Sequence, residues 1–464
     1  MPSLVLRPIS EELEGADLGD VRLNRRLGAL ADALAAMPSV GLPRACRTTA
    51  ALEGAYRFLS NTGVEPQMIL EPHLTETRNR AVGQGAVLAI HDTTEFGFGG
   101  ETRGHLGRTN NDQAGFFAHV TLGLRAADRE PLGLLNCQTW ARRTKESTRK
   151  ERATVRYRKR ADKESNRWTT GVDQVEEAFE GVAGVGPLIH VVDREGDQYR
   201  LVARIIEHRS HFIVRSFQER RLATGENIWE ATAKADVVFE REVRLSRRRP
   251  KHGRASHGPR EGRSARLAVS ASTVDIRRSK GPVNRGAPPS LSVNVVRVIE
   301  IDPPDGEEPV EWNLLTNLPI DTREEIAFVV DCYRARWTIE EFFKAVKTGC
   351  AYEKLQLENE RALRNALAII MPIAWRMLLV RYVARGSEPM PAEKVLTKTQ
   401  IEVLRNTPWT TLPKRPSAKD ALCAIATLGG HIRNNGEPGW QVLYAGLRDL
   451  MLLEVGWRAR SDQS

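Results

Sequence analysis

Leu188-Ile189-His190-Val191-Val192-Asp193 is a short apolar run that closes on a carboxylate, and Val87-Leu88-Ala89-Ile90-His91-Asp92 repeats the pattern upstream. Runs of this length and composition read as strands buried on both faces. Between them, residues 117–125 and 132–140 alternate apolar and polar and are joined by Ala127-Asp128-Arg129, which predicts a β-hairpin. Residues 171–180 read as a helix, 201–208 as another and 211–215 as a strand. Strands followed by strand and helix in alternation predict an α/β core.

Outward from this core the pattern changes. Residues 219–300 hold short β-like pieces at 237–243, 267–272 and 292–299, and read as a β-rich insertion. The stretch 247–266, rich in Arg, Gly and Pro, reads as a basic loop. A second basic stretch spans 142–167. Near the N-terminus, Leu18-Gly19-Asp20 forms a turn in which Asp20 is placed to cap a helix. Leu23, Leu27, Leu30 and Leu34 then recur at near-helical spacing, with Arg22, Arg25 and Arg26 on the opposite side. A second helix near 48–59 carries Arg57. This hairpin is either a scaffold with a solvated basic face or a small DNA-binding domain. Residues 369–464 read as mostly helical, broken near 408–416 and 429–439. The predicted organisation is 1–70, helical; 71–218, first part of the core; 219–300, insertion; 301–368, second part of the core; and 369–464, helical.

The chain has 464 residues, 41% apolar and 28% charged, enough for about three domains. No uninterrupted apolar run reaches about 18 residues, so no membrane span is expected. Cys46, Cys137, Cys332, Cys350 and Cys423 form no C-x-x-C pair, which argues against a zinc ribbon and for the cytoplasm. With 69 basic against 59 acidic side chains the formal net charge is +10, which favours a polyanionic partner. No G-x-x-x-x-G-K-[ST] phosphate loop is present, so no nucleotide cofactor is implied.

The segment 322–349 carries the candidate chemistry. Thr322-Arg323-Glu324-Glu325 is a capping box and Gly349 a natural stop, which predicts one long helix. On it Tyr333, Glu340 and Lys347 share a stripe, with Arg336 beside Glu340. Ile339, Phe342, Phe343 and Val346 form a neighbouring apolar stripe that would pack on a sheet. By spacing alone this is either an amphipathic helix with an exposed Arg–Glu pair or a helix that brings Glu340 to the two strand-end aspartates. Three such carboxylates can converge on divalent metal. Glu195 and Asp197 are rivals for Asp193. Trp312, at the start of a strand, reads by itself as core.

Tyr333-x2-Arg336-x3-Glu340-x6-Lys347 resembles the signature of the insertion-sequence-four group of bacterial DDE transposases, and the chain is most similar to the transposon-five type. His91-Asp92-Thr93-Thr94 and Val192-Asp193-Arg194-Glu195 resemble that group's two aspartate motifs. Trp312 stands where the group has a tryptophan that receives a flipped base. Leu18-Gly19-Asp20 with Arg22 and Arg26, and Glu53-Gly54-Ala55-Tyr56-Arg57-Phe58, resemble its end-binding domain, and 439–457 its C-terminal dimerisation helices.

The resemblance implies an RNase H-like core, a mixed five-stranded sheet with flanking helices. Asp92, Asp193 and Glu340 would hold two Mg²⁺ ions, with Mn²⁺ as a substitute. Tyr333, Arg336 and Lys347 would grip phosphate, Trp312 would stack a base, and Arg22, Arg26 and Arg57 would contact the ends of the element. The implied activity is cut-and-paste transposition by nicking, hairpin formation and opening, and strand transfer. The implied partners are double-stranded terminal inverted repeats, target DNA and a second copy of the chain, at the nucleoid of a bacterial cytoplasm. The alternatives are an RNase H-like structure-selective nuclease, or a transposase-derived regulator that binds DNA without cutting it.

Overall fold

Asp20 accepts a hydrogen bond from the Arg22 amide and starts the helix Val21–Ala36, as its place after a Leu-Gly turn predicts. Thr48 does the same for Thr49–Leu59 through the Ala51 amide. Leu27, Leu30 and Leu34 are buried. The computed structural model describes residues 7–99, 106–142, 164–245, 260–280, 284–386, 389–432 and 437–461. Most of each basic stretch, 143–163 and 246–259, lies outside the described residues. Two units are distinguished, one of Met1–Gln84, Thr93–Thr148 and Thr338–Ser464, the other of Gly85–Asp92 and Arg149–Trp337.

In the first unit, the later residues of strand β1 (Val87–Gly97) run beside β3 (Ala114–Arg125), with β2 (Gly107–Arg108) and β4 (Pro131–Trp140) paired antiparallel to β3. The β3–β4 pair is the predicted hairpin. The helix Glu360–Arg385 is the unit's core rod. It is the one described helix long and apolar enough to cross a membrane, yet 83% of its apolar window is buried inside the protein. It replaces water at several backbone groups that would otherwise be stranded. Asn365 donates to the Leu59 carbonyl at 2.9 Å and to Val64 at 3.2 Å, and the Trp375 indole donates to the Pro131 carbonyl at 2.9 Å. The helices Lys398–Asn406, Ala418–Leu428 and Trp440–Ser461 complete the unit, separated by the predicted breaks.

The second unit is a sheet in the order β1–β5–β6–β10–β9–β8–β7. Its strands after β1 are β5 (Leu188–Val192), β6 (His211–Ser216), β7 (Val237–Leu245), β8 (Arg263–Arg277), β9 (Ser290–Ile301) and β10 (Glu311–Thr316). β1, β5 and β6 are parallel; the remainder pair antiparallel. The β-like pieces of 219–300 are thus three long strands that extend the core sheet by way of β9 and β10. The helices Arg167–Phe179 and Tyr199–Glu207 cover one face, burying Trp168, Val172, Leu201, Val202 and Ile205 against Val192, Phe212, Val214 and Leu315.

The capping box is present: Thr322 accepts from the Glu325 amide and Glu325 from the Thr322 amide. The single helix expected over 322–349 is instead three pieces, Arg323–Ala335, Trp337–Lys344 and a π-turn at Ala345–Gly349. At the first break the Arg336 amide turns to the Tyr333 carbonyl. At the second, Cys350 bonds back to Ala345, five residues away. Gly349 is required there, because a Cβ would stand 2.2 Å from the Tyr444 ring. Arg336 keeps helical backbone angles at the first interruption. The apolar stripe runs on into the π-turn, with Ile339, Phe342, Phe343 and Val346 all buried. All five cysteines are free.

A buried ionic cluster ties the first unit together. His73 donates from Nδ1 to Glu12 at 2.6 Å and accepts the Leu134 amide at Nε2, which fixes the neutral tautomer. Arg80 grips both Glu12 oxygens, at 2.9 and 3.1 Å. Burial alone would raise the Glu12 carboxyl, but His73 and Arg80 outweigh it and hold the pKa at about 2. Burial keeps His73 below its ordinary value in spite of Glu12. Both groups are depressed on folding, so both contribute stability above their unfolded values, near 4.5 and 6.5, that is lost as the pH falls. The Glu12 share is about 3 kcal/mol between pH 4.5 and 2. Glu12→Gln should lower stability at pH 7 and flatten its decline below pH 5, measured by urea unfolding across that range.

Candidate nucleic-acid and metal site

Register decides the position of the first two acids. β1 and β5 pair in parallel with Leu88 opposite Ile189 and His91 opposite Val192. Asp92 and Asp193 are the next residues of each strand, so they stand side by side at the same edge, about 4.8 Å apart in their backbones. Both side chains are half-buried. Arg336 donates to Asp92 Oδ2 at 3.2 Å. Asp193 caps a short turn, Arg194–Gly196, by accepting the Glu195 amide at 2.8 Å. Gly196 makes the turn possible, because a Cβ there would lie 2.2 Å from Val192 and 2.9 Å from the Trp168 ring.

The rival acids are otherwise engaged. Asp197 is fully buried and accepts from the Ser216 hydroxyl, the Phe217 and Gln218 amides and the Arg220 guanidinium. Its lone pairs are spent on the chain, so it is a structural anchor. Glu195 points to solvent and pairs with Arg167 at 2.9 Å. Glu341, the neighbour of Glu340, accepts from Lys344, Arg381 and the Trp440 indole at 2.8, 2.8 and 3.0 Å. Glu340 itself is half-buried on the helix Trp337–Lys344 in the first unit. Lys347 lies in the π-turn of that unit, its ammonium 5.5 Å from the Phe96 ring centre.

Behind the aspartates the sheet carries a buried polar line. His91 Nε2 lies 2.8 Å from His190 Nδ1, and His190 Nε2 lies 2.8 Å from Glu176. A neutral His190 that donates to Glu176 accepts the His91 proton at its other nitrogen, so each strand's penultimate polar group is satisfied. Burial would raise the Glu176 carboxyl, but the bond to His190 outweighs it and holds it low.

On the opposite face of the sheet, the helix Arg323–Ala335 brings Tyr333 to Trp312, ring centres 5.5 Å apart and edge to face. Burial raises the Tyr333 hydroxyl above its ordinary value, opposed by the Arg215 and Arg336 guanidiniums near it. Arg215 also reaches the Glu311 carbonyl at 3.0 Å. Burial pushes its guanidinium down, with Arg194 and Arg336 adding to the effect. Arg215 was not among the residues singled out in the sequence. Its one signal is a lone cation closing the apolar strand Phe212-Ile213-Val214.

At the N-terminus Arg22 and Arg57 extend into solvent, where Arg22 pairs with Asp20 and Arg57 with Glu53. Arg26 is also exposed and lies flat on Gly54 of the facing helix.

Residues 9–64 match the family described as transposase DNA-binding, and residues 125–375, more than half of the chain, match the transposase DDE domain. The chain belongs to the DDE transposases. It is therefore a metal-dependent enzyme of DNA phosphoryl transfer, with a DNA-binding domain at its N-terminus. The catalytic-domain match takes in Asp193 and Glu340 and begins after Asp92. Paired carboxylates at a half-open sheet edge offer the hard oxygens that a divalent cation of this transposase needs. Among the described residues no group of three or more His, Cys, Asp and Glu side chains is gathered as a ready cage.

Gly196→Ala should displace the turn that carries Asp193 and cost about 1–3 kcal/mol through overpacking. Thermal unfolding and a cleavage assay should both register the change.

Proposed function

We propose that this transposase performs cut-and-paste transposition within the insertion-sequence-four group, by nicking the ends of its element, forming and opening hairpins, and joining the ends to target DNA. The observation that carries the reading is the strand-end pair Asp92–Asp193 with Arg336, Tyr333, Arg215 and Trp312 beside it. That arrangement supplies acids, phosphate-binding cations and an aromatic face at one edge of an α/β sheet with RNase H-like parallel strands β1, β5 and β6.

Asp92, Asp193 and Glu340 would hold two Mg²⁺ ions, with Mn²⁺ able to replace them. When bound, these ions activate the attacking oxygen and stabilise the leaving one. Arg336, Tyr333 and Lys347 hold the phosphate next to the scissile bond. Charge-assisted contacts of that kind fix the phosphodiester for in-line attack, first by water and then by the freed 3′-hydroxyl. A tight hairpin requires an extruded base, and Trp312 offers a half-exposed ring to stack it. Arg22, Arg26 and Arg57 contact the inverted repeats from residues 1–70. Two copies of the chain hold two ends. Trp440, Leu443 and Leu450 are spent on the core of their own unit, which leaves Leu452, Leu453 and Val455, exposed on the last turns of the same helix, for the second copy. The bacterial nucleoid is the setting that such DNA partners imply.

An end-labelled element incubated with target DNA should yield nicked, hairpin and joined products in that order. Asp92→Ala, Asp193→Ala and Glu340→Ala should each reduce all three by a factor on the order of 10² to 10³ while end binding persists. Nicked products that never join target DNA would instead identify a structure-selective nuclease. Trp312→Ala should slow hairpin formation about tenfold more than nicking, and Trp312→Phe should recover part of the difference, because stacking tolerates any aromatic face. Equal slowing of both steps would return Trp312 to a purely structural role.

A further inference from the structure

Phe217 is 58% exposed, immediately beyond the end of β6. Single exposed apolar side chains are ordinary on a protein surface. This one is fixed. Its amide donates to the buried Asp197 carboxylate at 3.1 Å, and so does the Gln218 amide; the Ser216 hydroxyl does the same at 2.8 Å. Arg220 holds the same carboxylate from the other side. The backbone under Phe217 is therefore clamped while its ring stays in solvent.

The β6–β10 register gives the ring a neighbour. Leu314 faces Arg215 and Asn313 faces Ser216, where the pairing ends, and one residue further along each chain stand Trp312 and Phe217. Side chains alternate along a strand, so Trp312 shares a face with Leu314 and with Arg215 opposite it. Two aromatic residues thus stand at the same end of the β6–β10 pair, with Tyr333 against Trp312 and the Arg215 and Arg336 guanidiniums close to the Tyr333 hydroxyl. Apolar faces framed by phosphate-binding cations suit an unpaired nucleotide better than an apolar peptide, whose backbone carries no matching charge.

We propose that Phe217 is a second stacking surface for an unpaired nucleobase and that, with Trp312, it forms a two-ring seat for the base extruded at the element's end. This rests on the base-extrusion reading of Trp312 given above. A seat made of two rings discriminates against paired DNA, because a base still in the duplex presents no free face to either.

The test uses the full-length protein and a short duplex taken from the inverted repeat beside the gene, carrying one bulged 2-aminopurine near its end, against the same duplex with that base paired. No divalent cation is added, so the DNA stays whole. Fluorescence quenching and competition binding give the preference for the bulged over the paired form. Wild-type protein should quench the bulged base and prefer that form. Phe217→Ala should lower the preference about tenfold, as loss of one stacking face does. Phe217→Tyr should retain it, and Phe217→Leu, which keeps the apolar bulk without the ring, should behave as the alanine variant. Full preference in Phe217→Ala or Phe217→Leu alongside its loss in Trp312→Ala would overturn the proposal and leave base extrusion standing. Full preference in both Phe217→Ala and Trp312→Ala would overturn both.

Discussion

The parallel register of β1 and β5 holds Asp92 beside Asp193, and it is the constraint on which the second unit's candidate chemistry depends. Parallel pairing of β1 and β5 leaves no freedom to separate Asp92 from Asp193, because a slip of one residue would turn every side chain of the strand to the other face. The charge is instead balanced locally. Arg336 leans on Asp92, and the Glu195 amide donates to Asp193. One step back, His91, His190 and Glu176 satisfy one another in the interior, so the strands that carry the acids bury no orphaned polar group at that level. A bound cation would take over from Arg336 at Asp92 and free the guanidinium for phosphate.

The same logic separates acids that serve the fold from acids left for chemistry. Asp197 and Glu341 lie close in sequence to the candidates, but each is saturated by donors from its own unit. Saturated carboxylates are anchors. Asp197 fixes the corner after β6, and Glu341 ties the helix Trp337–Lys344 to the helices Glu360–Arg385 and Trp440–Ser461.

What could be read from the sequence was what short-range pattern encodes. The Asp20 and Thr48 caps, the β3–β4 hairpin and the β5 strand that ends before Asp193 each depend on a few consecutive residues and stand where expected, whereas β1 runs on to Gly97 and leaves Asp92 inside the strand. Features set by distant partners were not legible. That β7, β8 and β9 would extend the core sheet depends on β9 meeting β10, which no local pattern reports. The apolar stripe from Ile339 to Val346 runs through the change to a π-turn at Ala345, so periodicity does not reveal it. Arg215 became a site residue only once the helix Arg323–Ala335 had brought Tyr333 over it. That Glu341 serves as an anchor depends on its partners, one of them about a hundred residues away.

The first unit is assembled from three separate lengths of chain, and this sets a clock on its synthesis. Asn365 hydrogen-bonds the Leu59 carbonyl across 306 residues of sequence. At a ribosomal rate of about 5–20 residues per second, that separation is about 15–60 s of translation. For that interval the DNA-binding domain at residues 9–64 has left the ribosome without the rod that later covers it. Its Leu59 and Val64 carbonyls remain hydrated until the helix Glu360–Arg385 arrives. The end of the protein that is made first is thus the last to be closed, and a nascent chain is a different molecule from a finished one.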